Sequence, residues 1–252
     1  MLVVPWNSML QSIGCIESCF REKFGTPRQG ALVPQAPARL RLRPEFLPEH
    51  SLAGLEEFSH VWLLFQFHLN TNKTFRPKIH PPRLRGKTMG VFASRSPHRP
   101  NPLGLTLARL RRIVGDTLYL EGVDLVNGTP ILDVKPYLPF CDRPARPRVG
   151  WVGRCREPRL EVAFSPAAMA DLRRLVPARS RLRVRRLIRA SLSRDPRNPR
   201  DHAQLRPDKE MAFFILHYDV HFRIRDGHVM ISRIVAADEA ALGRPPLAPG
   251  LI

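Results

Sequence analysis

The 252-residue sequence predicts a mainly β chain, an antiparallel barrel or sandwich followed by a small α+β domain. Three observations carry that expectation. Up to about residue 140, short apolar segments follow one another across turn residues with no helical stripe between them. A stretch dense in proline and arginine, PFCDRPARPRVGWVGRCREP from Pro139 to Pro158, interrupts the pattern. Beyond it, helix-opening chemistry and an arginine-rich helical stripe come before the alternation returns. The expected division is 9–140 for the β domain, 141–159 for a linker and 160–252 for the second domain.

Taken in order, Met9 to Ser18 reads as a first strand, and Ala31 to Leu42 as an edge strand because prolines sit inside its alternation. A short helix is expected over Ser51 to Leu55. Phe58 to Leu69, FSHVWLLFQFHL, is apolar at both parities and reads as a strand buried on both faces, at least in its first half. Asn70 to Lys87 is long, basic and broken by prolines, as functional loops often are. Met89 to Ala93 and Leu103 to Ile113 read as strands either side of a polar loop. Thr117 to Val126 returns after a Gly115 turn, and Asn127-Gly128 signals a type I′ hairpin into Ile131 to Lys135, completing a meander. In the second domain Leu160 to Phe164 is a strand. Ser165 followed by Pro166 caps a helix to about Val176, and Arg179 to Ser193 forms another. Ala212 to Ile224 alternates without a break, giving one long strand that turns at Asp226-Gly227 into His228 to Val235.

Composition restricts the function classes. The net charge of +19 exceeds what solubility needs and points to a polyanion partner, most often nucleic acid. Of the 41 basic residues, 35 are arginine, whose guanidinium forks onto phosphate and stacks on bases, although a G+C-rich genome also favours arginine codons. The four cysteines, Cys15, Cys19, Cys141 and Cys155, show no metal spacing and read as buried apolar residues in a reducing cytosol. The opening MLVVPWNSML lacks the basic start and apolar run of a signal peptide, Met9 is a candidate start, and a cytoplasmic protein is expected. Glycine fingerprints of nucleotide folds, HExxH and GxSxG are all absent from the sequence.

The most informative stretch is Gly90 to Leu110, GVFASRSPHRPNPLGLTLARL. It places Arg95, Arg99, Ser94, Ser96, His98 and Asn101 on one loop stiffened by Pro97, Pro100 and Pro102. Other polar residues fall at expected strand ends: Arg28 and Gln29, His68, Asp124 and Asn127, and Asp133, Lys135 and Tyr137. If the meander closes, these ends converge on one rim. Asp133 and Lys135 share strand parity; a surface ion pair beside a packed tyrosine is the competing reading of that trio.

That stretch, with DLVNGTPILDVKPYLPF, KFGTPRQ and LEEFSHVWLLFQFH, resembles the TrmO family of tRNA (adenine-N6)-methyltransferases, densely over residues 12 to 140 and loosely beyond. The resemblance implies a single-sheeted β-barrel that binds S-adenosyl-L-methionine without a Rossmann fold. It also implies a homodimer, a C-terminal domain that helps hold the tRNA anticodon stem-loop, and N6-threonylcarbamoyladenosine as the substrate. Carried onto matching positions, the cofactor contacts are Pro27, Arg28, Gln29, His68, Arg95, Leu105, Asp124, Leu125, Val126 and Asn127. Substrate contacts are assigned to Arg99, Asn101 and Lys135, and RNA contacts to Arg181, Arg183, Arg185 and Arg186. The nitrogen to be methylated lies in a urea-like linkage, so a proton acceptor is expected, with Asp133 or Tyr137 the candidates; no metal is required. The chain departs from the family pattern at Asn127, an aspartate in relatives, at His217, and at Asn198-Pro199-Arg200, where a tyrosine is lost. The competing functional readings are a noncatalytic RNA-binding barrel and a methyltransferase of this fold with another substrate.

Overall fold

The computed structural model describes residues 10–70, 74–84, 86–155, 159–197, 209–238, 247, 250 and 251. Six antiparallel strands close into a barrel: β1 (Gly14–Ser18), β2 (Pro37–Leu42), β3 (His60–Gln66), β6 (Leu103–Val114), β7 (Thr117–Glu121) and β8 (Pro130–Pro136), in the spatial order β1-β2-β7-β6-β3-β8. A two-stranded ribbon of β4 (Lys78–Ile79) and β5 (Met89–Gly90) stands apart from it. The short helix α1 (Pro48–Ser51) lies between β2 and β3, and α2 (Pro139–Asp142) follows β8.

Alternation fills the barrel. Val61, Leu63 and Phe65 point inward with Ile16, Leu40, Leu118, Leu120 and Ile131, each at most 5% exposed. Burying each such side chain stabilises the fold by about 1.5–3 kcal/mol. Gly104 lets the Phe65 ring fill the interior at that level, since a Cβ there would lie 2.1 Å from the ring. Trp62 and Leu64 stay half-exposed, so β3 is buried on one face rather than two. The second apolar set covers the outer wall, not a second layer.

Closure also changes the expected connectivity. β7 and β8 are not neighbours, because residues 122–129 cross from one side of the barrel to the other. Asn127-Gly128 is therefore no hairpin between them. Only Gly128 has positive φ, at 83°, with Thr129 N–H donating to Val126 O, whereas a type I′ turn needs positive φ at both central residues. Strand β2 is internal, since a closed barrel has no edge, and Gly30–Leu32 before it is a 3-10 turn. The helix expected at Ser51–Leu55 lies earlier, and the strand expected at Met89–Ala93 bends at Val91 into a 3-10 turn that reaches Ala93. The cysteines divide: Cys19 is buried, Cys15 and Cys141 are exposed, and Cys155 is intermediate, so only one fits the buried reading.

The C-terminal part is α+β. A sheet of order β10-β11-β12-β9 is made of β9 (Glu161–Phe164), β10 (Met211–Ile215), β11 (Tyr218–Arg225) and β12 (His228–Ala236), with β9 and β12 parallel. It is packed by α3 (Pro166–Leu175) and α4 (Ala178–Leu192). Ser165 Oγ accepts the Ala168 N–H at 3.0 Å, the expected N-cap. The unbroken alternation from Ala212 to Ile224 hides a hairpin. Leu216 adopts φ 55°, β10 buries Phe213 and Ile215, and β11 buries Val220, Phe222 and Ile224, so the parity switches at the turn. Cys19 and Phe20 pass from the barrel into this second core, and Cys19 O accepts the Leu216 N–H at 2.7 Å. Among the described residues no helix is long and apolar enough to cross a membrane.

Candidate cofactor and substrate site at the barrel rim

The loop after β5 is held by its own hydroxyls. Ser94 Oγ donates to Val91 O at 2.8 Å and accepts the Ser96 N–H, and Ser96 Oγ in turn accepts the His98 N–H at 3.3 Å. Asn70 Nδ2 donates to Pro97 O at 2.8 Å, and the His98 ring lies 3.2 Å from Asn70 Oδ1. Arg99 turns back into the loop, donating to Ser94 O at 2.7 Å and Val91 O at 3.3 Å with its guanidinium over the Phe92 ring. Arg99 is thus a brace for the loop. From outside, Trp151 Nε1 donates to Ala93 O at 2.8 Å, so the proline-rich connector is packed on this loop and is not a bare spacer.

Arg95 leaves the loop and donates to Gln29 Oε1. Gln29 opens the turn whose Gly30 is packed against a second loop so closely that a Cβ would lie 1.9 Å from Gly122 O. At that junction sits Asp124. Burial pushes its carboxyl above the ordinary aspartate range, and this outweighs the hydrogen bonds from Thr106 and the Gly30 N–H and the attraction of Arg95. Among the described residues its Oδ1 is buried without a hydrogen-bond partner, an acceptor still open to a donor. Arg95, Gln29, Gly30, Thr106 and Asp124 therefore form one cluster between two loops that touch backbone to backbone.

The remaining expected residues divide around it. Pro27 is buried at the turn, while half-buried Arg28 points away, donating to Arg197 O at 3.3 Å beside a shallow open cleft lined by Gly25, Arg194 and Asp195. Burial lowers the Arg28 pKa, and Asp195 opposes that shift. Leu125 belongs to the barrel core, leaving only its backbone to face a ligand, and Asn127 Oδ1 accepts the Ser18 N–H at 3.1 Å, a role open to aspartate or asparagine. Val126 is half-buried, with its carbonyl engaged in the turn. His68 is exposed just past β3; Asn101 is exposed beside the start of β6, and Leu105 faces outward at 49% exposure while Thr106 faces in.

Asp133, Lys135 and Tyr137 are not brought to this cluster within the chain. Register places Asp133 opposite Leu64 and Lys135 opposite Trp62, on the outward parity of β3, where they pair with each other at 2.9 Å. The Tyr137 N–H bonds His60 O, at the end of β3 away from His68, and its ring packs edge-on to Trp62 and His60. Convergence of every strand end on one rim thus fails for this trio, Asp133 and Lys135 because their parity faces outward, and Tyr137 because it lies at the far end of β3. Gly30, Thr106, Asn70 and Trp151 belong to this cluster or hold its loop and were not among the expected residues. Thr106 was accessible through its parity opposite outward-facing Leu105.

On α4, Arg181 donates to Arg173 O and Val176 O at the end of α3, and Arg183 bonds Glu121 at 3.1 Å. Arg185 lies 5.5 Å over the Phe164 ring, and Arg186 is exposed. Asn198-Pro199-Arg200 lies outside the described residues. His217 occupies the β10–β11 turn, where its carbonyl accepts the Ala237 N–H at 2.8 Å.

Residues 15–143 match the tRNA-methyltransferase O N-terminal domain, and residues 157–237 match the TrmO C-terminal domain. The chain belongs to the TrmO family. An Escherichia coli K12 relative named tRNA (adenine(37)-N6)-methyltransferase is 37% identical over 221 residues, 86% of this chain and 93% of that protein. A Pseudomonas aeruginosa relative whose given name includes the words S-adenosylmethionine-dependent methyltransferase is 41% identical over 83% of this chain and 90% of its own length. A solved structure of TrmO superposes with TM-score 0.74 at 36% identity, covering 92% of this chain and all of the other. The chain spans about a third of the length of the mammalian relatives it matches.

Proposed function

We propose that this protein is an S-adenosylmethionine-dependent methyltransferase acting on the N6 nitrogen of adenosine 37 in tRNA, with N6-threonylcarbamoyladenosine in a threonine-type tRNA as its substrate. The observation that carries the reading is the Arg95–Gln29–Asp124 cluster, in a chain that aligns with a relative of that named activity over 86% of its length.

The cluster fits the cofactor. The unpartnered Asp124 Oδ1 suits a hydroxyl or amino donor, Arg95 suits a carboxylate, and the Gly30–Gly122 contact lets backbone approach closely. S-adenosylmethionine, when bound, supplies an electrophilic methyl group on a sulfonium. The protein's own contribution is placement. The hydroxyl ladder and the Arg99 brace hold the loop without relying on the ligand, and orientation of this kind is worth up to ~7–11 kcal/mol in favourable cases. Asp133 and Tyr137, on the outer wall, act as proton acceptors at this rim only in an assembly of two copies, the homodimer that the resemblance implies. Lys135 and Asn101 contact substrate in the same assembly. The exposed arginines of α4 grip anticodon-stem phosphates, and the site of action is the cytoplasm.

Nucleoside mass spectrometry of threonine tRNA from cells with and without the gene tests this reading. Loss of the N6-methylated threonylcarbamoyl nucleoside is expected in the deletion. Its retention overturns the assignment. Calorimetry with S-adenosylmethionine separates a noncatalytic RNA-binding barrel, which has no affinity for it.

A further inference from the structure

We propose that Phe92 is a stacking platform for an unpaired base of the RNA substrate; this rests on the tRNA reading above and deepens it. Phe92 lies in the middle of the 3-10 turn Val91–Ala93, two residues before the loop that carries Arg95. Its neighbour Val91 is 1% exposed, whereas Phe92 itself is 71% exposed. Single exposed apolar residues are common; what sets this ring apart is that its backbone and one of its faces are held while the rest of it is open.

The backbone beneath it is fixed from three sides. Val91 N–H donates to Pro77 O at 2.9 Å, Val91 O accepts Ser94 Oγ and Arg99, and Ala93 O accepts Trp151 Nε1. The Arg99 guanidinium lies 5.5 Å from the ring centroid, so one face of the ring is supported by a cation and tilt is restrained. A rigid aromatic supported this way loses little entropy when a flat partner lands on it. Unpaired bases are such partners, and proteins that read single-stranded loops splay them onto aromatic side chains.

The surroundings favour nucleic acid over an apolar protein surface. Lys78 is exposed directly opposite Gly90 in the β4–β5 ribbon, Arg76 is exposed on the same strand approach, and Arg95 follows three residues after the ring. These cations flank the platform as phosphates flank a base. Arg95, paired with Gln29 beside Asp124, also ties the platform to the cofactor cluster, so a base held on Phe92 is near the nucleotide being modified.

The test uses the full-length protein and an anticodon stem-loop RNA carrying 2-aminopurine at single loop positions. Stacking on Phe92 quenches 2-aminopurine fluorescence at one position. Phe92→Leu abolishes that quench and weakens RNA affinity by roughly 5- to 150-fold, the range of base–aromatic stacking. Phe92→Trp restores both, and calorimetry gives unchanged cofactor affinity for each variant. Because the side chain is exposed, Phe92→Leu retains the native melting temperature. Equal quench and equal affinity in Phe92→Leu overturn the platform while leaving the tRNA reading standing. A native protein that binds no stem-loop RNA overturns both. A change in sedimentation coefficient on Phe92→Leu shows instead that the ring packs against a second copy of the chain, and also overturns the proposal.

Discussion

Replacing Gly30 with alanine tests whether the two rim loops must touch. The added Cβ would lie 1.9 Å from Gly122 O and 2.9 Å from its carbonyl carbon, whereas ordinary contact begins at 3.4 Å. The loops must separate by about 1.5 Å, and neither side is a flexible tip that can swing away. Two costs follow. Overpacking of this kind costs about 1–3 kcal/mol, and at about 2–4 °C per kcal/mol for a chain of this size the melting temperature falls by roughly 2–12 °C. The separation also shifts the Gly30 N–H from Asp124, so a ligand donor aimed at that carboxylate loses its alignment. A hydrogen bond to a charged group contributes about 1.5–3 kcal/mol, so S-adenosylmethionine affinity falls roughly 10- to 150-fold. Isothermal calorimetry on Gly30→Ala reads the affinity and differential scanning reads the melting temperature. Gly90→Ala serves as the control, since nothing lies within 4 Å of its added Cβ and its φ is −58°. Unchanged cofactor affinity in Gly30→Ala, with the melting temperature lowered, would refute the placement of the cofactor between these loops.

Loss of the Ser165 cap in Ser165→Ala costs about 1 kcal/mol, lowering the melting temperature by about 2–4 °C with cofactor affinity unchanged, as thermal scans and calorimetry together show. Asp124 has a folded pKa raised above its unfolded value, so the folded protein holds more protons and stability falls as pH rises through that interval. Asp124→Asn removes this penalty. Urea melts at pH 4 and pH 7 then show the variant gaining stability relative to the native protein at the higher pH, while calorimetry shows cofactor binding lost. Changing Arg185 and Arg186 together to glutamate weakens tRNA binding and reduces the slope of log K against log salt by roughly 1–2, without altering cofactor affinity. A salt titration of stem-loop binding that gives the native affinity and slope contradicts the role of α4.

Alternation made the antiparallel β character of the first part legible, barrel and sandwich alike, and capping chemistry made α3 legible. Both are local signals, written within a few residues of the element they specify. What local pattern could not carry was pairing. Thr117–Glu121 and Pro130–Pro136 look like two arms of a hairpin because Asn127-Gly128 stands between them, yet residues 122–129 cross the barrel instead. The same limit hid the β10–β11 turn, where Leu216 takes a left-handed φ that its residue type does not advertise. At the site, Arg95 was visible as a polar residue in a stiff loop, and Asp124 as one at an expected strand end. Gly30 was not, because its need arises from a contact with Gly122, 92 residues away. Asp133 and Lys135 were read to the correct shared parity, but which face that parity served depended on the neighbouring strand.

Closure of the barrel has a consequence for synthesis. Strand β1 pairs with β8, so the first strand of the barrel to be made waits for Pro130 and Ile131 before its free side is covered. A chain stalled before that point exposes unpaired backbone along both β1 and β3, the two partners of β8. Phe20 waits longer still, since its partner Ile215 lies nearly two hundred residues downstream. Such long separations slow folding and lengthen the window for association between nascent chains. The abundance of arginine keeps those unfinished chains apart by charge.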